Sequence, residues 1–134
     1  MTRCISLLAP LTKGQSVIPQ VKSETFVTGE LAMFRRLKDY QAHDLHFKFD
    51  PASGLKAIIA IHDTRKGPAL GGCRFLHYNA TDDAINDALK LARGMRYKAV
   101  MAKLPQGGGK SVIMKPNGHF NREQLFTAFG RFVE

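Results

Sequence analysis

The lysine best placed for chemistry in this sequence is Lys110, which follows three consecutive glycines in the string PQGGGKS, residues 105–111. Glycine has no Cβ, so its backbone readily adopts left-handed dihedrals and lies close to another group. A lysine held beside such a glycine loop, in a confined and partly dry cleft, loses hydration and becomes a plausible acid–base group. We therefore take Lys110 as a candidate catalytic residue. A glycine hairpin with a solvated lysine is the alternative, because a single loop lysine is a weak signal.

A second lysine and a glycine turn precede Lys110 and complete a possible site. Lys98 is expected just past the end of a helix, and the segment Leu70–Arg74, LGGCR, forms a turn before a strand. Two lysines that flank one strand, with a Gly-Gly turn from a neighbouring strand, would line one cleft at a sheet edge. One ammonium would hold a carboxylate there, and the other would transfer protons. Spacing alone leaves two solvated lysines as the alternative.

Two nucleotide-binding motifs are excluded by spacing. A phosphate-binding loop needs a glycine five residues before its Gly-Lys pair, and that position holds Leu104. The dinucleotide fingerprint Gly-x-Gly-x-x-Gly occurs nowhere in the chain. The residues around Lys110 therefore bind no nucleotide by either of these means.

The charge is strongly positive, with 20 Lys and Arg against 11 Asp and Glu and a formal net charge of +9. Such a field attracts nucleic acid, and it attracts small carboxylates equally well. The basic residues are scattered and no nucleic-acid motif surrounds them. Diffuse charge of this kind is more often a solvated surface than a binding site, and no nucleic-acid partner is predicted.

The length suits one compact domain, and the remaining composition points to a reducing compartment. Cys4 and Cys73 provide neither a disulfide framework nor a metal-ligand cluster, so free thiols in the cytoplasm and no metal are predicted. No apolar run is long enough to span a bilayer, so no membrane partner is expected.

The pattern of apolar residues and capping residues predicts a leader, residues 1–27, and a domain from residue 28 to residue 134. Five segments are predicted strands: 46–50, 55–62, 73–78, 99–104 and 111–114. Three segments are predicted helices that begin with a capping residue: 30–40 after Thr28, one from Thr81 to about Tyr97, and one after Asn121. Strands alternating with helices predict a layered α/β/α domain with a mostly parallel or mixed sheet.

Three strings occur together and in order: HDTRKGPALGGCRF, ALKLARGMRYK and LPQGGGKSVI. With them the chain resembles the family of glutamate, leucine, valine and phenylalanine dehydrogenases, and within it most of all the leucine dehydrogenase branch. The resemblance runs from about Leu31 to Phe132. It covers the family's N-terminal half, which binds the substrate and forms the oligomer.

The resemblance implies reversible, NAD-dependent oxidative deamination of an L-amino acid to a 2-oxo acid and ammonia. Lys98 matches the lysine that pairs with the substrate α-carboxylate, and Lys110 matches the catalytic lysine. Gly71 and Gly72 match a turn that lets the substrate lie close to the backbone. Glutamate dehydrogenases have a lysine at the position of Leu70, so leucine here implies an aliphatic or aromatic substrate, with a branched-chain amino acid favoured.

The family's catalytic aspartate and its NAD-binding Rossmann domain would both lie beyond Glu134. We therefore expect no cofactor-binding residues in this chain and no turnover by the chain alone. A cytoplasmic homo-oligomer is also implied. A non-enzymatic assembly or small-ligand module is the alternative.

Overall fold

Strand β5, Gly107–Met114, lies inside a mixed sheet on which the rest of the fold is assembled. The structure is a computed structural model that describes residues 23–134, with side chains from residue 32 onward. The other strands are β1 (Asp44–Asp50), β2 (Leu55–Asp63), β3 (Ala69–Leu70) and β4 (Cys73–Leu76). The helices are α1 (Ser23–Tyr40), α2 (Thr81–Met101) and α3 (Arg122–Val133).

The sheet is antiparallel on one side of β5 and parallel on the other. Its order is β1-β2-β5-β3, and β4 pairs with β5 farther along the same edge as β3. Both β1 and β5 run antiparallel to β2. Helices α1 and α2 pack on one face and α3 packs on the other. The predicted α/β/α layering with a mixed sheet is confirmed.

Each face of the sheet has its own apolar core, because successive side chains along a strand alternate between the faces. Val112 and Ile58 lie under α2 with Leu89, whereas Ile113 and Leu55 pack against α3. Burial on both faces explains the nearly continuous apolar run of β2. The first face is called the α2 face below.

The predicted strand 99–104 is wrong, because α2 continues through these residues to Met101. The helix then ends in a Schellman motif, in which the Leu104 amide donates to the Ala99 carbonyl at 2.9 Å and the Lys103 amide to the Val100 carbonyl at 3.0 Å. Lys103 takes the left-handed conformation, with φ 55°. The sequence did not predict the end of α2 here, because the left-handed position after a helix is usually glycine and in this chain it is Lys103.

The predicted glycine loop is also wrong. Gly107, Gly108 and Gly109 are buried and form the first part of β5, so Lys110 and Ser111 lie within the strand. A Cβ on Gly108 would overlap the Ala92 carbonyl oxygen and lie 2.5 Å from the Arg96 amide nitrogen of α2. The glycines therefore serve close packing and not a turn.

Two of the three predicted caps are wrong. Thr81 is the first residue of α2; its N-cap is Ala80, which makes no side-chain cap bond. Thr28 lies inside α1, which begins at Ser23. The predicted boundary at residue 28 thus falls within a helix, and most of the predicted leader, residues 1–22, lies outside the described residues. Asn121 is confirmed, since its side chain accepts the Gln124 amide at 3.0 Å.

A buried carboxylate joins the end of β2 to α2. Asp63 is 1% exposed and accepts two side-chain bonds from Arg65, each at 3.0 Å, and one from Arg96 at 3.1 Å. Hydrogen bonds from Arg65, and then from Arg96, lower the pKa of Asp63 far below its usual range. This cluster ties the turn after β2 to the helix.

Replacing Gly108 with Ala should destabilise the fold, because the new methyl group would collide with α2 backbone that cannot move independently. We expect the free energy of unfolding to fall by about 3 kcal/mol in urea titrations. Gly94→Ala, in α2, is the control, since a Cβ there meets nothing within 4 Å. It should instead raise the free energy of unfolding by about 0.5–1 kcal/mol. Equal stability of the two variants would contradict the close contact.

Asp63→Asn should lower stability in a pH-dependent way. The pKa of Asp63 is lower in the folded chain than in the unfolded chain, so its contribution is present above about pH 4 and is lost at lower pH. We expect a loss of about 3 kcal/mol in the free energy of unfolding at neutral pH. This difference from the unmodified chain should shrink between about pH 5 and pH 2. A constant difference would contradict the assignment, and Asp39→Asn on the exposed surface of α1 is the control.

Candidate functional site

Lys110 lies on the α2 face of the sheet, in the middle of β5. It is paired with Ala60 of β2, and the neighbouring residue on that face, Val112, belongs to the core under α2. Its side chain is half-buried, and its Nζ lies beside Gly72, where an added Cβ would be 3.5 Å away. The ammonium therefore extends across the strand towards the edge formed by β3 and β4.

The Gly71-Gly72 turn lies directly against β5. A Cβ on Gly71 would overlap the carbonyl oxygen of Gly109, so only glycine fits there. The Gly72 carbonyl accepts the Ser111 amide at 3.0 Å. The turn thus leaves bare, exposed backbone beside the Lys110 ammonium.

Leu70 provides an apolar surface on the same face. In the parallel pair of β3 with β5, Leu70 is the partner of Gly108, and paired residues share a face. Leu70 is 45% exposed. An apolar side chain therefore lies open to solvent on the side of the sheet from which Lys110 projects.

Lys98 is exposed in the last turn of α2 and not beyond the helix end. It follows Asp87 by eleven residues, which leaves the two side chains within roughly 20° of each other around the helix. Asp87 contacts Arg74 of β4, so Lys98 also faces the β4 side of α2. The lysines consequently share one side of the sheet. The expectation that they flank one strand is wrong, because residues 99–104 are not a strand and Lys110 itself lies within β5.

The two lysines differ from the nearby arginines in their ion pairing. Arg74 is paired with Asp87, and Arg96 with Asp63. Among residues 32–134, neither Lys98 nor Lys110 takes part in an ion pair. Neither ammonium group is thus neutralised by a carboxylate in this part of the chain, and that of Lys110 lies beside the bare backbone of Gly72.

Sequence reasoning missed the polar group next to this site. Arg74 Nη1 donates to both oxygens of Asp87, at 3.0 and 2.9 Å, and the Tyr78 hydroxyl donates to Oδ2 at 2.5 Å. Burial and the Asp87 carboxylate raise the pKa of Tyr78 to about 12, so the phenol remains a donor. The one available signal was that Asp87 lies on the same stripe of α2 as Lys98.

The larger hollows of the described surface lie elsewhere. One of about 510 Å³ is lined by Lys66, Lys103 and the segment around Leu104. Another of about 530 Å³ lies between α3 and the turn after β1. The candidate site is instead an open surface.

Cys73 is a free thiol, as predicted, and Cys4 lies outside the described residues.

The described residues contain neither a membrane-spanning helix nor a cluster of metal ligands. No helix there is long and apolar enough to cross a membrane. No group of three or more His, Cys, Asp or Glu side chains that could hold a metal ion occurs in that part of the chain.

Known proteins share both the sequence and the fold. The chain is 49% identical over 104 residues to leucine dehydrogenase of Geobacillus stearothermophilus, covering 78% of this chain and 28% of that protein. It is 43% identical over 114 residues to phenylalanine dehydrogenase of Bacillus thermotolerans, covering 85% and 29%. The structure of L-tryptophan dehydrogenase from Nostoc punctiforme matches with a TM-score of 0.70 and 43% identity, over 75% of this chain and 30% of that one.

A more distant structure, hetero-hexameric glutamate dehydrogenase from Thermus thermophilus, has 20% identity and a TM-score of 0.53 and supports the fold alone. The chain spans less than a third of the length of these relatives. The model of the Glu/Leu/Phe/Val dehydrogenase dimerisation domain matches residues 40–134. Because this match covers most of the chain and includes both lysines and the glycine turn, the chain belongs to the Glu/Leu/Phe/Val dehydrogenase family.

Proposed function

We propose that this chain is the substrate-binding and oligomerisation part of an NAD-dependent L-amino-acid dehydrogenase that prefers branched-chain substrates such as leucine. The reaction is reversible oxidative deamination to a 2-oxo acid and ammonia. The observation that carries the proposal is that two lysines without ion-pair partners among residues 32–134 lie on one side of the sheet, and that Lys110 borders the glycine turn on the face of exposed Leu70.

Each residue has a distinct role in this proposal. The Lys98 ammonium holds the α-carboxylate through a charge-assisted hydrogen bond. Lys110 accepts and returns protons at the α-amino group and at the water that attacks the imino carbon. Gly71 and Gly72 allow the α-carbon to lie against the backbone, within reach of Lys110 Nζ. Leu70 contacts the substrate side chain.

NAD would accept the hydride, and the described residues do not fit its binding. A pyrophosphate site needs glycine backbone that is open at the start of a helix. Here Gly107–Gly109 are buried inside β5 and packed against α2, β2 and the turn at Gly71. We therefore assign no cofactor contact to these residues, and place NAD binding in a part of the protein outside this chain.

The substrate class follows from Leu70. A glutamate side chain would place a second carboxylate beside this leucine without a cationic partner, which costs several kcal/mol once the site is closed. An aliphatic side chain would lose water on both sides of the contact, and this is favourable. The names of the relatives, which are leucine, valine and phenylalanine dehydrogenases, agree with an apolar substrate.

The second candidate function is a non-enzymatic module that only forms the oligomer. The edge strand β1 exposes Phe47 by 50% and Phe49 by 64%, and the matching family model is described as a dimerisation domain. We propose a cytoplasmic homo-oligomer in either case. Only the enzymatic proposal requires the two unpaired lysines, so substitution of the lysines separates the two candidates.

Lys110→Ala should abolish most of the activity, because the proton-transfer group is lost. Activity is measured in an active chimera, in which this chain replaces the matching segment of the Geobacillus stearothermophilus leucine dehydrogenase. Leucine-dependent NADH formation should then fall at least about 100-fold in kcat, with an unchanged circular dichroism spectrum. Lys115→Ala, at an exposed position just past β5, is the control. Near-normal turnover by Lys110→Ala would contradict the catalytic role, and the isolated chain should show no turnover.

Lys98→Gln should mainly weaken substrate binding in the same chimera. Loss of a charge-assisted bond worth about 1.5–3 kcal/mol predicts a rise in KM for leucine of at least tenfold. The fall in kcat should be smaller than this rise. Lys90→Gln, on the exposed side of α2, should leave KM within about twofold. An unchanged KM in Lys98→Gln would show that another group holds the α-carboxylate.

A further inference from the structure

A third cationic side chain lies on the same face as Lys110. Arg74 of β4 pairs with Val112, so it points to the α2 face two residues after Gly72. Two residues along a strand span roughly 7 Å, and Gly72 borders the Lys110 ammonium. Arg74 is therefore close enough to compete for a carboxylate that approaches the site.

A free guanidinium would be a strong competitor. Arginine binds a carboxylate through two parallel hydrogen bonds, whereas lysine offers a single point charge. The Arg74 side chain is 42% exposed, so solvent and small ions reach it. A carboxylate bound to Arg74 would therefore lie two residues along the strand, roughly 7 Å, from the position beside Lys110 Nζ.

Asp87 pairs with this guanidinium through Arg74 Nη1 and neutralises its charge. Both its oxygens accept hydrogen bonds from Arg74, and Oδ2 also accepts one from Tyr78. Partly exposed ion pairs add little to stability, typically less than about 1 kcal/mol. Stability is thus a weak reason for two donors on one carboxylate at this place, and the proximity of the glycine turn suggests a role in ligand binding.

We propose that Asp87 is a positioning residue: by occupying Arg74 it directs the substrate carboxylate to Lys98. This inference rests on the proposed function and deepens it. The negative charge of Asp87 also repels a carboxylate from β4 itself. Tyr78 donates a hydrogen bond to the Asp87 carboxylate and holds it in place, whereas Lys98 and Lys110 have no ion-pair partner among residues 32–134.

The test follows the position of a bound carboxylate in the isotope-labelled chain by NMR. The probe is 4-methyl-2-oxopentanoate, a branched-chain 2-oxo acid. The signals are the Nε–H group of Arg74 and the Cε–H groups of Lys98 and Lys110. In the unmodified chain the probe should shift the lysine signals and leave Arg74 nearly unchanged. In Asp87→Asn the shift at Arg74 should grow at least threefold, and the shift at Lys98 should shrink.

Two further variants separate a redirected ligand from a disturbed fold. Asp87→Glu keeps the carboxylate and should behave as the unmodified chain. The double variant Arg74→Gln/Asp87→Asn removes the competitor and should return the shifts to Lys98 and Lys110. A double variant that fails to restore them, or an Asp87→Asn variant with no added shift at Arg74, overturns the role of Asp87.

Arg74→Gln alone keeps the inference testable even if Asp87→Asn does not fold. Because Asp87 already occupies Arg74, this variant should bind the probe with a Kd within twofold of the unmodified value. A tenfold weaker Kd would make Arg74 a direct ligand and overturn the inference. If the probe shifts neither lysine in the unmodified chain, the proposed amino-acid site is itself wrong and the inference falls with it. If the probe shifts the lysine signals but Asp87→Asn does not increase the shift at Arg74, only the role of Asp87 is overturned and the proposed function stands.

Discussion

The contact between helix α2 and strand β5 at Gly108 is the constraint on which the rest of the site depends. The helix backbone at Ala92 and Arg96 lies so close to the strand that no Cβ fits between them. A Cβ on Gly107 would overlap the Asp63 carbonyl oxygen at the end of β2, and the Gly109 carbonyl oxygen leaves no room for a Cβ on Gly71. Three neighbouring elements are thus held against one short stretch of backbone. Lys110 is the first residue of β5 with a side chain, and it projects into the space that these elements leave.

The second theme of the structure is the separation of paired and unpaired cations. Asp63 takes two arginines at the end of β2, and Asp87 takes Arg74 at the edge of β4. Each carboxylate joins α2 to the sheet or to its loops, so the ion pairs also fix where the helix lies. The two lysines remain outside these networks within residues 32–134. The net positive charge that looked diffuse in the sequence is therefore partly neutralised by these arginine pairs, whereas Lys98 and Lys110 keep their charge.

Openness is the remaining feature of the site. Leu70, Gly72 and Lys98 are exposed, and the ammonium of Lys110 lies half-buried below them. The chemistry proposed for Lys110 works best where water is excluded, whereas these residues are open to solvent. An open surface agrees with the proposal that NAD binds to a part of the protein outside this chain.

The sequence by itself determined the family, the layered class of fold, the buried strand β2 and the Asn121 cap, and it supplied Leu70, Lys98 and Lys110 as the residues of the proposed site. These follow from motifs, apolar patterns and one capping residue, all of which are local in the chain. The tertiary structure decided whether the glycines form a loop or a strand, because glycine favours turns locally and the packing of α2 on β5 demands its small size here. It decided the end of α2 as well, since Lys103 adopts a left-handed conformation that sequence rules reserve for glycine. The pairing of Arg74 with Asp87 also needed the structure, because it exists only once α2 has docked beside β4.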